Sequence, residues 1–262
     1  MAAFDADTAV AAVGPGRYRG MITSRWHIGT VPNGGYVLAV VLDAVRQEIG
    51  EGHPLTVTAH YLSPCSEGEV DVEVEVLKRG RSLSTVTARL VQGGRTRIAA
   101  LATYGELVSQ AGPTLTRAAA PDLPDPERCA TRGSALMAIN HVIDFRPSPD
   151  TARWLLDERG YPAEIEGWIR FADGRPPDVH SLPMLCDAMP PAIFAAIRTG
   201  WVPTLELTVH VRGVPEPDWL RARVSTRVLV DGLCEEDCEL WDTTGRLVAM
   251  SRQLARVLPD NP

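Results

Sequence analysis

The sequence predicts an α+β fold made of two like halves, each with a central helix packed on an antiparallel sheet. Three observations carry this. Residues 33–49, NGGYVLAVVLDAVRQEI, are the strongest helix signal of the first half. Several segments alternate apolar and polar residues with period 2, the mark of strands with one wet and one dry face. The order of helix, turns and strands then recurs at an offset near 150 residues.

In the first helix, Asn33 is placed to cap the start and Gly50 to stop it. From Tyr36 to Leu42 it is apolar on every face, so it is wrapped on several sides instead of lying on a surface. Leu55 to Leu62 reads as a strand with Leu55, Val57, Ala59 and Tyr61 on one side. Val70, Val72, Val74 and Val76 alternate with Asp71, Glu73 and Glu75 in the next strand. Lys78–Arg81 is a turn. Residues 82–92 and 95–105 form two more strands, joined at Gly93-Gly94, a hairpin signal.

Residues 108–130 hold Gly112, Pro113, Pro121, Pro124 and Pro126 and few large apolar residues, the composition of a linker. The second half then repeats the first. Pro203 opens a strand to His210 as Pro54 opens one to His60, with turns at Pro215–Pro217, Asp231-Gly232 and Thr244–Arg246. A helix-like segment, 179–197, precedes these strands, with Pro183, Pro190 and Pro191 positioned to kink or break it. Trp219, in Pro217-Asp218-Trp219, starts a strand and packs it. The expected organisation is one unit over residues 1–107, a linker over 108–134 and a second unit over 135–262.

Composition narrows the function. Apolar residues make up 45% and charged residues 23% of 262, an ordinary globular balance. The net charge of -7 lacks the electrostatic footprint for phosphate backbones, so nucleic acid is not an expected partner. No apolar run reaches the ~18 residues of a membrane helix, and the first ten residues carry two Asp and no basic segment, unlike a secretory signal. Cys65, Cys129, Cys186, Cys234 and Cys238 form no CxxC pair and read as buried thiols of a cytoplasmic protein. Cys234 and Cys238 would share one strand face. The six histidines are scattered, with His60 and His210 at equivalent repeat positions, a structural placing; no metal or cofactor is expected.

There is no P-loop, HExxH, GxSxG or EF-hand motif, and Gly14-Pro15-Gly16 lacks dinucleotide spacing. One residue stands out. Asp187 lies in LPMLCDAMPPAIF, where nearly every neighbour is apolar. A buried carboxylate is costly unless it is hydrogen-bonded or working. The pattern leaves two readings open: a reactive carboxylate, or the cap of a helix restarting near Pro190. Asn33-Gly34-Gly35 likewise either lets the helix approach the sheet or offers free N–H groups to a developing oxyanion. Lys78, Arg79 and Arg81 read either as a solvated hairpin tip or as contacts for phosphates.

Several motifs converge on one family. His60-Tyr-Leu-Ser-Pro64, the Val/Glu strand, Arg79-Gly-Arg-Ser-Leu-Ser84 and Asn33-Gly-Gly35 resemble the first hotdog unit of type II acyl-CoA thioesterases. Pro203–His210 and Gly245–Gln253 resemble the opening and closing strands of the second unit. The resemblance implies a double hotdog whose acyl chain lies between helix and sheet. It implies an acyl-CoA, or acyl carrier protein thioester, as substrate, and a homo-oligomeric cytoplasmic enzyme. It further implies that Asp187, Thr204 and Gln253 hold the hydrolytic water, Asp187 as base and the other two fixing its orientation. Asn33, Gly34 and Gly35 would bind the thioester. A non-catalytic acyl-CoA or lipid binder on the same fold is the alternative. Thr204 falls on the strand face of Glu206, Thr208 and His210, opposite Leu207 and Val209, so it reaches such a site only if a bulge or the sheet edge turns it.

Overall fold

The computed structural model describes residues 1–107, 112–131, 137–153, 158 and 160–259. A short helix, α1 (Ala3–Thr8), leads into strands β1 (Ala11–Gly14) and β2 (Arg17–Ile22) and the small hairpin β3 (His27–Ile28) and β4 (Val31–Pro32). Helix α2 spans Gly34–Ile49, followed by β5 (His53–Tyr61), β6 (Gly68–Arg79), β7 (Leu83–Gln92) and β8 (Arg95–Gly105). The second half contributes β9 (Ile143–Pro147), β10 (Glu164–Phe171), the one-turn helices α3 (Leu182–Leu185) and α4 (Ile193–Ala196), β11 (Thr204–Val211), β12 (Leu220–Ser225), β13 (Leu229–Val230), β14 (Leu233–Trp241) and β15 (Leu247–Arg256).

All strands but β3 and β4 join one 13-stranded sheet, ordered β1-β2-β6-β7-β8-β5-β11-β15-β14-β12-β10-β9 with β13 on β14. The order β2-β6-β7-β8-β5 is mirrored by β10-β12-β14-β15-β11, so the repeat read from the sequence is also a repeat of topology. The halves meet where β5 pairs antiparallel with β11 and Thr58 faces Thr208. Their hydroxyls lie 2.9 Å apart at a separation of 150 residues, on the pseudo-twofold axis.

Helix α2 fills the concave side. Asn33 caps it by accepting from Tyr36 N–H, and Gly50 ends it in the left-handed conformation at φ 81. Every residue from Gly35 to Leu42 is buried. Each fully buried Val or Leu removes apolar surface worth about 1.5–3 kcal/mol from water, which outweighs the modest helix propensity of the β-branched residues. Arg79 donates to the Glu48 and Ile49 carbonyls at the other end of α2, so its guanidinium serves the helix C-terminus.

The second-half segment differs from the first. Instead of one helix across 179–197 there are two separate turns, α3 and α4. Asp178 accepts from His180 and Ser181 N–H and starts the first turn. Pro190 and Pro191 have no N–H to donate and push the residue before each of them out of the helical region, so no helix spans them. Strands β9 and β10 and the edge pair β1–β2 complete the sheet.

The linker region is more engaged than its composition suggests. Pro124 accepts a hydrogen bond from Trp168 Nε1 at 2.8 Å, and Cys129 packs with Trp168 and Trp219, against Leu123. Residues 108–111 and 132–134 of the expected linker lie outside the described residues. All five cysteines are buried and unpaired.

Candidate active site

The inner face of the second-half sheet carries a polar row inside an apolar core. Leu207 on β11 faces Gln253 on β15, which faces Glu236 on β14. The pseudo-equivalent row of the first half is Val57, Ala102 and Val86, all apolar and buried. The sheet folds without polar groups at these positions in one half, so folding does not require them in the other.

Thr204 enters this row through a bulge. The β11–β15 register shifts between Thr204 and Glu206, setting Thr204 opposite Ala255 on the inner face, as the sequence required if Thr204 was to reach a site. Its hydroxyl donates to Gln253 Oε1 at 2.6 Å. Gln253 Nε2 donates to Glu236 Oε1 at 2.6 Å, and Ala192 N–H donates to Glu236 Oε2 at 2.6 Å. Glu236 thereby fixes which way the amide of Gln253 points. Burial pushes the Glu236 carboxyl up to about 8; the bonds from Ala192 and Gln253 oppose this, and the nearby charge of Asp187 adds to it.

Asp187 lies just past α3, which packs on β11 and β15 and against α2. Its Oδ2 accepts from Gly35 N–H at 2.6 Å and from Asn33 Nδ2 at 3.1 Å. Asn33 Nδ2 also donates to the Asp187 carbonyl at 2.8 Å. The carboxylate therefore sits at the N-terminus of α2, not of a helix restarting at Pro190; α4 has no side-chain cap. Burial raises Asp187 from 3.8 to about 6, outweighing the bonds from Gly35 and Asn33. A carboxylate poised near neutrality is suited to take a proton from water. Among the described residues, Oδ1 has no hydrogen-bond partner and is the atom left to do so.

The expected site residues thus fall into two groups. Thr204 and Gln253 are bonded to each other, while Asp187 is bonded to Asn33 and Gly35 and to neither of the former. Asn33 and Gly35 spend their donors on Asp187, a different occupation from thioester binding. The Gly34 N–H, at the first turn of α2, has no partner among the described residues. Gly35 has no room for a side chain: a Cβ would lie 2.9 Å from both Asp187 Cβ and the Met184 carbonyl. A Cβ on Gly34 would lie 3.2 Å from Asp187 Oδ2 and 3.1 Å from the ring of Tyr61.

Glu236 is the residue that reading the sequence missed. The alternation Cys234, Glu236, Cys238, Leu240 places a carboxylate in an otherwise apolar buried row, and that was its signal. Among the described residues no cluster of three or more His, Cys, Asp or Glu is arranged to hold a metal. His60 and His210 are both exposed on the outer face.

Two hotdog-like units fused through β5 and β11, with a buried helix in the concavity, define a double-hotdog protein. Residues 22–105 match the family model described as the acyl-CoA thioesterase N-terminal domain and residues 116–257 that of the C-terminal domain, so the chain belongs to the acyl-CoA thioesterase family. An uncharacterized protein of Mycobacterium tuberculosis is 31% identical over 267 residues, covering 92% of this chain and 90% of its own. A candidate thioesterase II of Thermobifida fusca, known as a crystal structure, is 34% identical with a TM-score of 0.92, covering 98% of each chain. A hot dog protein of unknown function from Alicyclobacillus acidocaldarius shares the fold, with a TM-score of 0.87 at 23% identity over 100% of this chain and 99% of its own. Among the described residues, no helix is long and apolar enough to cross a membrane.

Proposed function

We propose that this protein hydrolyses an acyl-CoA thioester with a water activated by Asp187, between halves that stand in for the two subunits of a hotdog dimer. Residues 1–107 and 135–262 are the units, and 108–134 tethers them. The observation that carries the reading is the half-specific polar pair: Glu236 and Gln253, the latter bonded to Thr204, in one half where the other has Val86 and Ala102, with a carboxylate raised to about 6 nearby.

In this mechanism a water donates one hydrogen to Asp187 Oδ1 and the other to the Thr204 oxygen, whose own proton is committed to Gln253. Glu236 keeps Gln253 in that orientation. The water oxygen attacks the thioester carbonyl as its proton passes to Asp187. The tetrahedral intermediate collapses with loss of the C–S bond, and the thiolate recovers the proton held by Asp187. The products are a carboxylic acid and free coenzyme A. Asn33 and Gly35 keep Asp187 aligned, and the free N–H of Gly34 polarises the carbonyl. No acyl-enzyme is formed.

Thiol release from a panel of acyl-CoA thioesters of graded chain length tests this. Turnover that disappears in Asp187→Asn supports it. Tight binding without turnover would favour the alternative, a non-catalytic acyl-CoA or lipid binder.

A further inference from the structure

Gly35 N–H is occupied by Asp187, so among the described residues the start of α2 retains a single amide without a partner, that of Gly34, for the oxygen of a reacting carbonyl. One backbone donor is a thin provision for a full developing charge, since acyl-transfer sites commonly aim two at it. The surroundings of Gly34 contain a second candidate. Tyr61, the last residue of β5, points into the concave side with Val57 and Ala59. Its hydroxyl oxygen is buried and has no hydrogen-bond partner among the described residues. Its ring and Asp187 Oδ2 flank the same point, 3.1 and 3.2 Å from where a Gly34 Cβ would be.

A buried hydroxyl without a partner costs stability, and such groups are rare enough to need a reason. Symmetry gives no structural one. The pseudo-equivalent of Tyr61 in the second half is Val211, buried at 1% exposure, so an apolar side chain satisfies this place in the sheet. Tyr104 also carries a buried hydroxyl unpartnered among the described residues, but the charges around it are those of Arg46 and Asp43, at the far end of α2. Of the two, only the Tyr61 hydroxyl lies beside the candidate base. Burial, with Asp187 and Glu206 nearby, holds the phenol well above its ordinary pKa, so it stays protonated and can only donate toward an oxyanion.

We propose that the Tyr61 hydroxyl and the Gly34 N–H together form the oxyanion site, with Tyr61 a catalytic residue that donates to the thioester oxygen as it becomes negative. The proposal rests on the thioesterase reading. It adds a first-half side chain that completes a site whose base and water-holding groups come from the second half.

The test is Tyr61→Phe, which keeps the ring and removes only the hydroxyl. The expected result is a fall of about 10²-fold in kcat, the usual cost of one oxyanion donor, with KM nearly unchanged and Tm equal or higher. A purely structural tyrosine would show the opposite pattern, a lowered Tm and an unaffected kcat. Two coenzyme A analogues give an independent readout. A trifluoromethyl ketone in place of the thioester, which presents an oxyanion-like oxygen, should bind the variant at least tenfold more weakly. An S-alkyl thioether lacking the carbonyl should bind both proteins equally. Wild-type turnover with an unimpaired variant, or equal affinity of both for the ketone, overturns the proposal and leaves the thioesterase reading standing. A wild-type protein that hydrolyses no acyl thioester overturns both.

Discussion

Asp187 Oδ2 accepts the backbone N–H of Gly35 at 2.6 Å, across 152 residues of chain and across the boundary between the two halves. The first half thus supplies the helix start that holds a carboxylate of the second. The partial positive charge of the α2 N-terminus favours the anion, while burial disfavours it, and burial is the larger effect.

Asp187→Asn separates these roles. An asparagine can place its carbonyl oxygen where Oδ2 sits and keep the bonds from Gly35 and Asn33, but it cannot take a proton. The expected result is a fall of about 10²–10⁴-fold in kcat with unchanged circular dichroism. Steady-state kinetics beside a thermal melt checks it; wild-type activity would make Asp187 solely a cap of α2.

Gly35→Ala should cost stability first. Its Cβ would meet Asp187 Cβ and the Met184 carbonyl at 2.9 Å and the Met184 Cα at 3.1 Å, all of them backbone or backbone-proximal atoms with little freedom to move. Overpacking of this kind costs about 1–3 kcal/mol. A urea titration should show a lower midpoint with an unchanged slope, and activity should fall with it because Asp187 is displaced.

The two raised carboxyls set a pH dependence. In the proposed mechanism Asp187 must be ionised to act; burial pushes it up to about 6 and Glu236 up to about 8. Above 8, a second negative charge is buried near that of Asp187 and disfavours further build-up of negative charge in the site. The kcat/KM profile should therefore be bell-shaped, with its maximum between these values and limbs that belong to the coupled pair. Glu236→Gln should lose the alkaline limb.

Stability has the matching sign. Both groups titrate higher in the folded chain than their ordinary 3.8 and 4.5, so the fold favours their protonated forms. Their contribution is full below those ordinary values and is lost as pH rises through 6 and then 8, on the order of 3 kcal/mol for Asp187. Melts between pH 4 and 9 should show Tm falling up to about 8 and level above it. Asp187→Asn should flatten the part near 6 and exceed the wild type in Tm at pH 8.

In the proposed mechanism Thr204 and Gln253 act through one hydrogen bond, so their losses should not add. Thr204→Val and Gln253→Ala should each reduce kcat, and the double variant should be little worse than the poorer single one. Strict additivity in a double-mutant cycle would mean that the 2.6 Å contact is not used in turnover.

Much of this molecule is dictated locally. Asn33, the apolar run to Leu42 and Gly50 determine α2, because capping, burial on all faces and a left-handed stop are each written in neighbouring residues. Period-2 alternation gives the strands of each half, and the offset of 150 fixes that they repeat. The apolar setting of Asp187 marks it as a carboxylate with a reason to be there, and the face count along β11 states that Thr204 needs a bulge. What the sequence leaves open is which distant groups meet. Alternation says that Glu236, Gln253 and Tyr61 point inward, but the register of β14 on β15 and the path of 187–192 over them decide that Glu236 bonds Gln253 and Ala192. Only the approach of α3 to α2 assigns Gly35 N–H to Asp187 instead of to a ligand. Hydrogen bonds and desolvation act over a few ångströms in space, whereas periodicity and capping act over a few residues of chain, and the partners of this site lie as many as 154 residues apart.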